Sequence, residues 1–102
     1  MDADEIRTLL GDNIFERAKK YRKRIQQSTC TVNADGVRHI SAMVQGSGGS
    51  YYYTQAWLRE NGSFVSASCS CPYNQNGEGT YCKHIGALLL DDAEKNAPAP
   101  VS

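Results

Sequence analysis

Residues 68–73 read Ser68-Cys69-Ser70-Cys71-Pro72-Tyr73, and residues 81–85 read Tyr81-Cys82-Lys83-His84-Ile85. A C-x-C pair and a C-x-H pair, ten residues apart, offer four soft or borderline donors. Four is the number taken by a closed tetrahedral zinc site, and Cys₃His is one of its ordinary ligand sets. Residues two apart on a strand point to one face, so Cys69 and Cys71 need only a tight bend to converge. Pro72 ends strand pairing directly after the second thiolate. The loop Tyr73–Thr80, with Asn74, Asn76, Gly77 and Gly79, lets the chain turn back. Cys82 and His84 then fall in the first turn of a helix, whose unpaired N–H groups and positive dipole end stabilise thiolate charge. Three thiolates on Zn²⁺ leave a formal charge of −1, which Lys83 is placed to compensate. Four protein ligands leave no position for water, so one structural zinc on Cys69, Cys71, Cys82 and His84 is expected and hydrolysis at it is not.

Upstream of Cys69 the chain alternates with period two, the mark of half-buried strands. Cys30 and Val32 alternate with Thr29, Thr31 and Asn33 up to the turn Ala34-Asp35-Gly36. Ile40, Ala42 and Val44 alternate with His39, Ser41 and Met43 before the run Gly46–Ser50. Tyr52, Thr54, Ala56 and Leu58 alternate with Tyr51, Tyr53, Gln55 and Trp57. Asn61-Gly62 is a two-residue hairpin signal, and Phe64–Ser68 returns from it into Cys69. Four sequential strands joined by short turns predict an antiparallel meander with one wetter face. Beyond the knuckle, Ile85, Leu88 and Leu89 give the final helix an apolar stripe that is lost from Asp91 onward.

The N-terminus reads as helical. Asp2, Asp4 and Glu5 complement the dipole of a short helix over 4–10, which Gly11 ends. Asp12 or Asn13 can cap a second helix to about Arg24, with Ile14, Ala18 and Tyr21 or Arg22 on its apolar face beside Phe15. The predicted class is therefore α+β: N-terminal helices, a four-stranded antiparallel meander, a zinc knuckle and a C-terminal helix. Residues 1–11 read as a helical extension and 12–92 as the zinc-binding domain. Residues 93–102 read as a linker towards a further domain, because Asn96-Ala97-Pro98-Ala99-Pro100 has linker composition.

A chain of 102 residues makes one small domain that benefits from a staple. Metal is favoured over disulfides: the N-terminus lacks a signal-peptide pattern, Cys30 stands alone, and paired C-x-C and C-x-H blocks look like a ligand set. A reduced, cytoplasmic setting follows. No stretch approaches the ~20 apolar residues that span a bilayer. The net charge of zero conceals a basic middle, where residues 17–83 hold nine Lys/Arg against three acids, for a net +6. A polyanion is thus an admissible partner.

Other residues carry competing readings. Cys30 follows the core alternation with Val32 and reads as a small buried side chain rather than a fifth ligand or a reactive thiol. His39 falls on the wet face and reads as a histidine without chemistry. Tyr51, Tyr53 and Trp57 share one strand face, suited to packing, to base stacking or to gripping a partner. Arg17–Arg24 holds six cations in eight residues. Arg17, Lys19, Lys20, Lys23 and Arg24 form either a solvated helix face or a phosphate-binding face. No Walker A loop, Ser–His–Asp set or paired acidic cleft is present, so no catalytic residue is assigned and no small-molecule substrate is expected.

The ligand block resembles the SWIM zinc finger, whose pattern is C-x-C, a variable loop, then C-x-H. The helix Phe15–Tyr21, the runs Val44-Gln45-Gly46-Ser47 and Tyr51–Tyr53, and Ala87-Leu88-Leu89-Leu90 extend the likeness over roughly residues 12–90. There the chain looks like the N-terminal SWIM region of bacterial SWI/SNF-family helicase-like ATPases. The resemblance implies zinc on Cys69, Cys71, Cys82 and His84, and a module ahead of an ATPase engine that contacts DNA or protein. For a DNA-binding module it implies a place at the nucleoid. The rivals are a protein–protein interaction module, using the aromatic strand face, and a stand-alone regulatory zinc protein.

Overall fold

A computed structural model describes residues 2–46, 48–71 and 81–95. Pro72, the loop Tyr73–Thr80 and the run Asn96–Pro100 lie outside the described residues. The elements run α1 (Ala3–Leu10), α2 (Asp12–Tyr21), a 3-10 turn (Arg22–Arg24), β1 (Ile25–Val32), β2 (Arg38–Gln45), β3 (Tyr51–Leu58), β4 (Phe64–Cys69) and α3 (Lys83–Lys95). The strands form one antiparallel sheet in the order β1-β2-β3-β4, and the helices pack on one of its faces. This is the α+β meander expected from the alternation.

All three described hairpins are closed the same way. Asn33, Gly46 and Arg59 each donate an N–H to the carbonyl four residues on, at 3.0, 2.7 and 2.8 Å. Three residues past each of these positions stands a glycine with positive φ: Gly36 at 81°, Gly49 at 89° and Gly62 at 90°. This is a three-residue loop ending in a left-handed residue. The two-residue reading of Asn61-Gly62 is corrected accordingly. A two-residue type I′ turn needs positive φ at both positions, and of this pair only Gly62 has it.

Helix α1 starts on a capping box: Glu5 N–H donates to the Asp2 side chain at 2.9 Å, and Asp2 N–H to the Glu5 carboxylate at 3.3 Å. Eight residues are too few for a stable isolated helix. Ile6 anchors it, fully buried in the same core as the rest of the chain, although residues 1–11 read as an extension. Burying such a side chain is worth about 1.5–3 kcal/mol. Gly11 both ends α1 and occupies the cap position of α2, where no side-chain cap bond forms. The expected cap from Asp12 or Asn13 is absent because the junction is one residue long, which makes Asp12 already helical. Helix α2 ends at Tyr21, and the basic run finishes in the 3-10 turn. Phe15 and Ala18 form its buried stripe.

Helix α3 lies across β2, β3 and β4 and against α2. Its approach to α2 depends on Gly86, where a Cβ would come within 2.7 Å of Ala18 Cβ and of Leu10 Cδ1. The helix continues to Lys95, past the point where the apolar pattern fades. Asp92 replaces apolar packing there: its carboxylate accepts both guanidinium N–H groups of Arg38 at 2.9 Å each, with the side chains 9% and 17% exposed. That bidentate pair ties the end of α3 to the start of β2 and holds the Arg38 pKa above its ordinary value.

The reading of Cys30 as buried is corrected: Cys30 is exposed and Val32 is 59% exposed. Their direction was right, since Cys30 pairs with the buried Ile40 and shares its face. However, β1 is an edge strand, and the helical layer covers its neighbours instead.

Candidate metal centre

Pairing of β4 with β3 brings Cys69 opposite Thr54 and continues one residue further, where Ser70 N–H donates to the Tyr53 carbonyl at 3.1 Å and Tyr53 N–H to Ser70 Oγ at 3.0 Å. The clamp on Ser70 holds the two flanking cysteines at the sheet end. When the chain returns, the Tyr81 ring meets Phe64 edge to face at 5.3 Å, beside the start of β4. The Cys82 carbonyl then accepts from Gly86 N–H at 3.1 Å, opening α3. Cys82 thereby stands at the helix entrance with His84 in its first turn.

The three sulfurs and one imidazole nitrogen all lie within 4.8 Å of one another, and none of the four residues is more than 6% exposed. His84 turns Nδ1 inward, 3.7 Å from Cys69 Sγ and 3.6 Å from Cys82 Sγ. A tetrahedron with Zn–S near 2.3 Å and Zn–N near 2.0–2.1 Å separates sulfur from nitrogen by about 3.5 Å. The donor set therefore has the size and chemistry of one zinc ion, and Cys69, Cys71, Cys82 and His84 would hold it. Such an ion would link the end of the sheet to the start of α3.

The sulfurs are strongly coupled. Hydrogen bonding from Cys82, aided by His84, Thr54 and the Cys71 backbone N–H, holds the Cys69 thiol down to about 4 against the opposing effect of burial. The same contact, together with burial and the Cys69 charge, pushes the Cys82 thiol up. Three thiolates at this separation repel one another, and a cation among them relieves that repulsion. Thr54 Oγ1 lies 3.4 Å from Cys69 Sγ, a contact with no obvious sequence signal beyond its core-facing register.

Residues 52–92 match the SWIM zinc finger family model. This segment runs from β3 through β4 and the knuckle to α3, so it contains all four donors. Helices α1 and α2 and strands β1 and β2 lie outside the match, which is narrower than the likeness read over 12–90. No curated protein and no solved structure matches the chain. The SWIM segment and the converging donors together are consistent with one structural zinc.

Several groups around the four donors were not given a role at the site from sequence. The outer nitrogen of His84, Nε2, is buried without a hydrogen-bond partner among the described residues. The Tyr52 ring lies 5.0 Å from the imidazole and the Tyr21 ring meets it nearly edge-on at 5.4 Å. Gly46 closes the third side: a Cβ there would stand 3.6 Å from Nε2 and 2.6 Å from Tyr52 Cε2. Lys83, expected to compensate the thiolate charge, lies against Tyr21. Its ammonium sits 4.9 Å over the Tyr21 ring, which also carries the Arg24 guanidinium at 5.0 Å.

The basic residues divide into two groups. Lys19 pairs with Glu16 at 2.8 Å and lies over the Phe15 ring, while Arg24 donates to the Gly46 carbonyl at 3.1 Å. Arg17, Lys20 and Lys23 are exposed and, among the described residues, make no ion pair or hydrogen bond. His39 is partly buried on the face away from the helices. It stacks on Trp57 at 4.9 Å and hydrogen-bonds Gln55 at 2.9 Å, apart from the ligand cluster.

Proposed function

We propose that the chain is a non-catalytic contact module, held together by one structural zinc, that binds DNA on behalf of a SWI/SNF-family helicase-like ATPase. The exposed cations Arg17, Lys20 and Lys23 carry this reading: on α2 and the turn that follows it stand three side chains that, among the described residues, make no ion pair or hydrogen bond. Lys19 and Arg24 border them and supply further charge. Phosphates attract such a rim without reading sequence, and the binding weakens as salt rises because counterions are released. The zinc serves as a staple in this reading, because four protein donors fill its coordination sphere and α2 packs against the helix it anchors.

The test is a salt titration of duplex DNA binding by the zinc-loaded protein and by a K19E/K20E/K23E variant. Affinity on the order of 10⁻⁴–10⁻⁶ M at physiological salt is expected for the wild type, with a steep loss as salt rises. The variant should bind far more weakly while keeping its zinc. Equal curves for the two proteins would transfer the function to protein contact.

A further inference from the structure

The face of the sheet turned away from the helices carries no charged side chain from Gln26 on β1, through His39–Gln45 on β2 and Tyr51–Trp57 on β3, to Ser68 on β4. Its polar groups are largely spent on one another. Thr29 and Ser41 hydroxyls meet at 2.8 Å, Gln55 joins His39 at 2.9 Å and Ser68 at 3.4 Å, and Gln26 donates to Tyr51 Oη at 3.2 Å. These bonds stitch the strands together and leave few groups to fix a polar protein surface. What remains open is aromatic. Tyr51 and Tyr53 are each 45% exposed on adjacent positions of this face, and Trp57 continues the row with one side covered by His39.

We propose that this face is a stacking platform for single-stranded nucleic acid, with Tyr51 and Tyr53 each taking one base. The inference rests on the nucleic-acid reading of the basic rim and adds a second, chemically different contact. Tyr51 and Tyr53 are two strand residues apart, about 6.8 Å. That is about twice the 3.4 Å rise of a stacked strand, so bases reach both rings only when unstacked, as in an extended single strand. Stacking tolerates any base because every base has a π-face. The platform also lacks carboxylates that would repel phosphates. Arg59, one residue past the end of β3 and in the same alternation as Trp57, is an exposed cation. Duplex DNA cannot use the rings, since its bases are already stacked and paired.

The experiment measures binding of the zinc-loaded protein to labelled oligo-dT, oligo-rU and a duplex, each of about 12 units, within the range of single-strand site sizes. Wild type, Tyr51→Ala, Tyr53→Ala, Tyr53→Phe and the K19E/K20E/K23E variant are compared. Each alanine variant should bind oligo-dT or oligo-rU about 10-fold more weakly, with the salt slope and the duplex affinity unchanged; phenylalanine should restore binding. The dT and rU arms tell a DNA strand from an RNA strand, since only the latter presents a 2′-OH. Single-strand affinity that is equal in wild type and alanine variants overturns the platform. So does an absence of single-strand binding by the wild type, which would point the face to a protein partner. Single-strand binding that falls in the alanine variants, with duplex binding equal in the wild type and the K19E/K20E/K23E variant, would instead defeat the basic-rim reading alone.

Discussion

Gly46→Ala is a small change with a large expected effect on the metal. Gly46 is not held in a left-handed conformation, so alanine is admissible to the backbone and its effect is purely steric. The added methyl would stand 2.6 Å from Tyr52 Cε2 and 3.6 Å from His84 Nε2. To restore even a tight contact near 3.4 Å, the tyrosine ring has to move by about 0.8 Å, and the imidazole it presses on lies 5.0 Å away, centroid to centroid. Overpacking of this kind costs about 1–3 kcal/mol. Part of that cost falls on the orientation of His84, whose Nδ1 must stay about 3.6–3.7 Å from two sulfurs. With 1.4 kcal/mol per tenfold, zinc affinity should fall by about 10-fold. Competition with a chromophoric chelator at fixed pH measures it directly. Gly48→Ala is the control, because a Cβ at Gly48 meets nothing within 4 Å. Equal zinc affinities for Gly46→Ala and wild type would refute the role given to Tyr52 and Gly46 in holding the imidazole.

Two further outcomes are expected. Cys82→Ala or His84→Ala should abolish stoichiometric zinc by elemental analysis and melt α3 in circular dichroism, because metal-binding free energy at such sites is folding free energy; Cys30→Ala, at an exposed position, should keep one zinc and change stability by no more than about 0.5 kcal/mol. Asp92→Ala leaves Arg38 partly buried without its carboxylate and should cost about 3 kcal/mol in urea denaturation, with an Arg38→Met/Asp92→Ala double variant recovering part of the loss; a cost below about 0.5 kcal/mol would show the pair to be a surface ornament.

Local rules made much of this protein legible in its sequence. Period-two alternation identifies a face without knowledge of the fold, so the meander and the shared face of Tyr51, Tyr53 and Trp57 could be read from the chain. Each hairpin is marked by a glycine in its loop, because only such a residue takes positive φ cheaply. The four zinc donors stand out because thiolate and imidazole pairs at strand and helix-entry spacing bring ligand atoms together with little backbone adjustment. Alternation says which way a side chain points, not whether anything covers it: Cys30 and Val32 point toward the helical layer and remain exposed because β1 is the edge strand. The tertiary structure alone decides such cover. It also pairs Arg38 with Asp92 across 54 residues and turns Nδ1 of His84, not Nε2, towards the sulfurs. It makes Gly46 a wall of the imidazole pocket with no room for a methyl group. Contacts between segments distant in the chain depend on how the helical layer settles on the sheet, a geometry set by the packing of the whole core and carried by no local period.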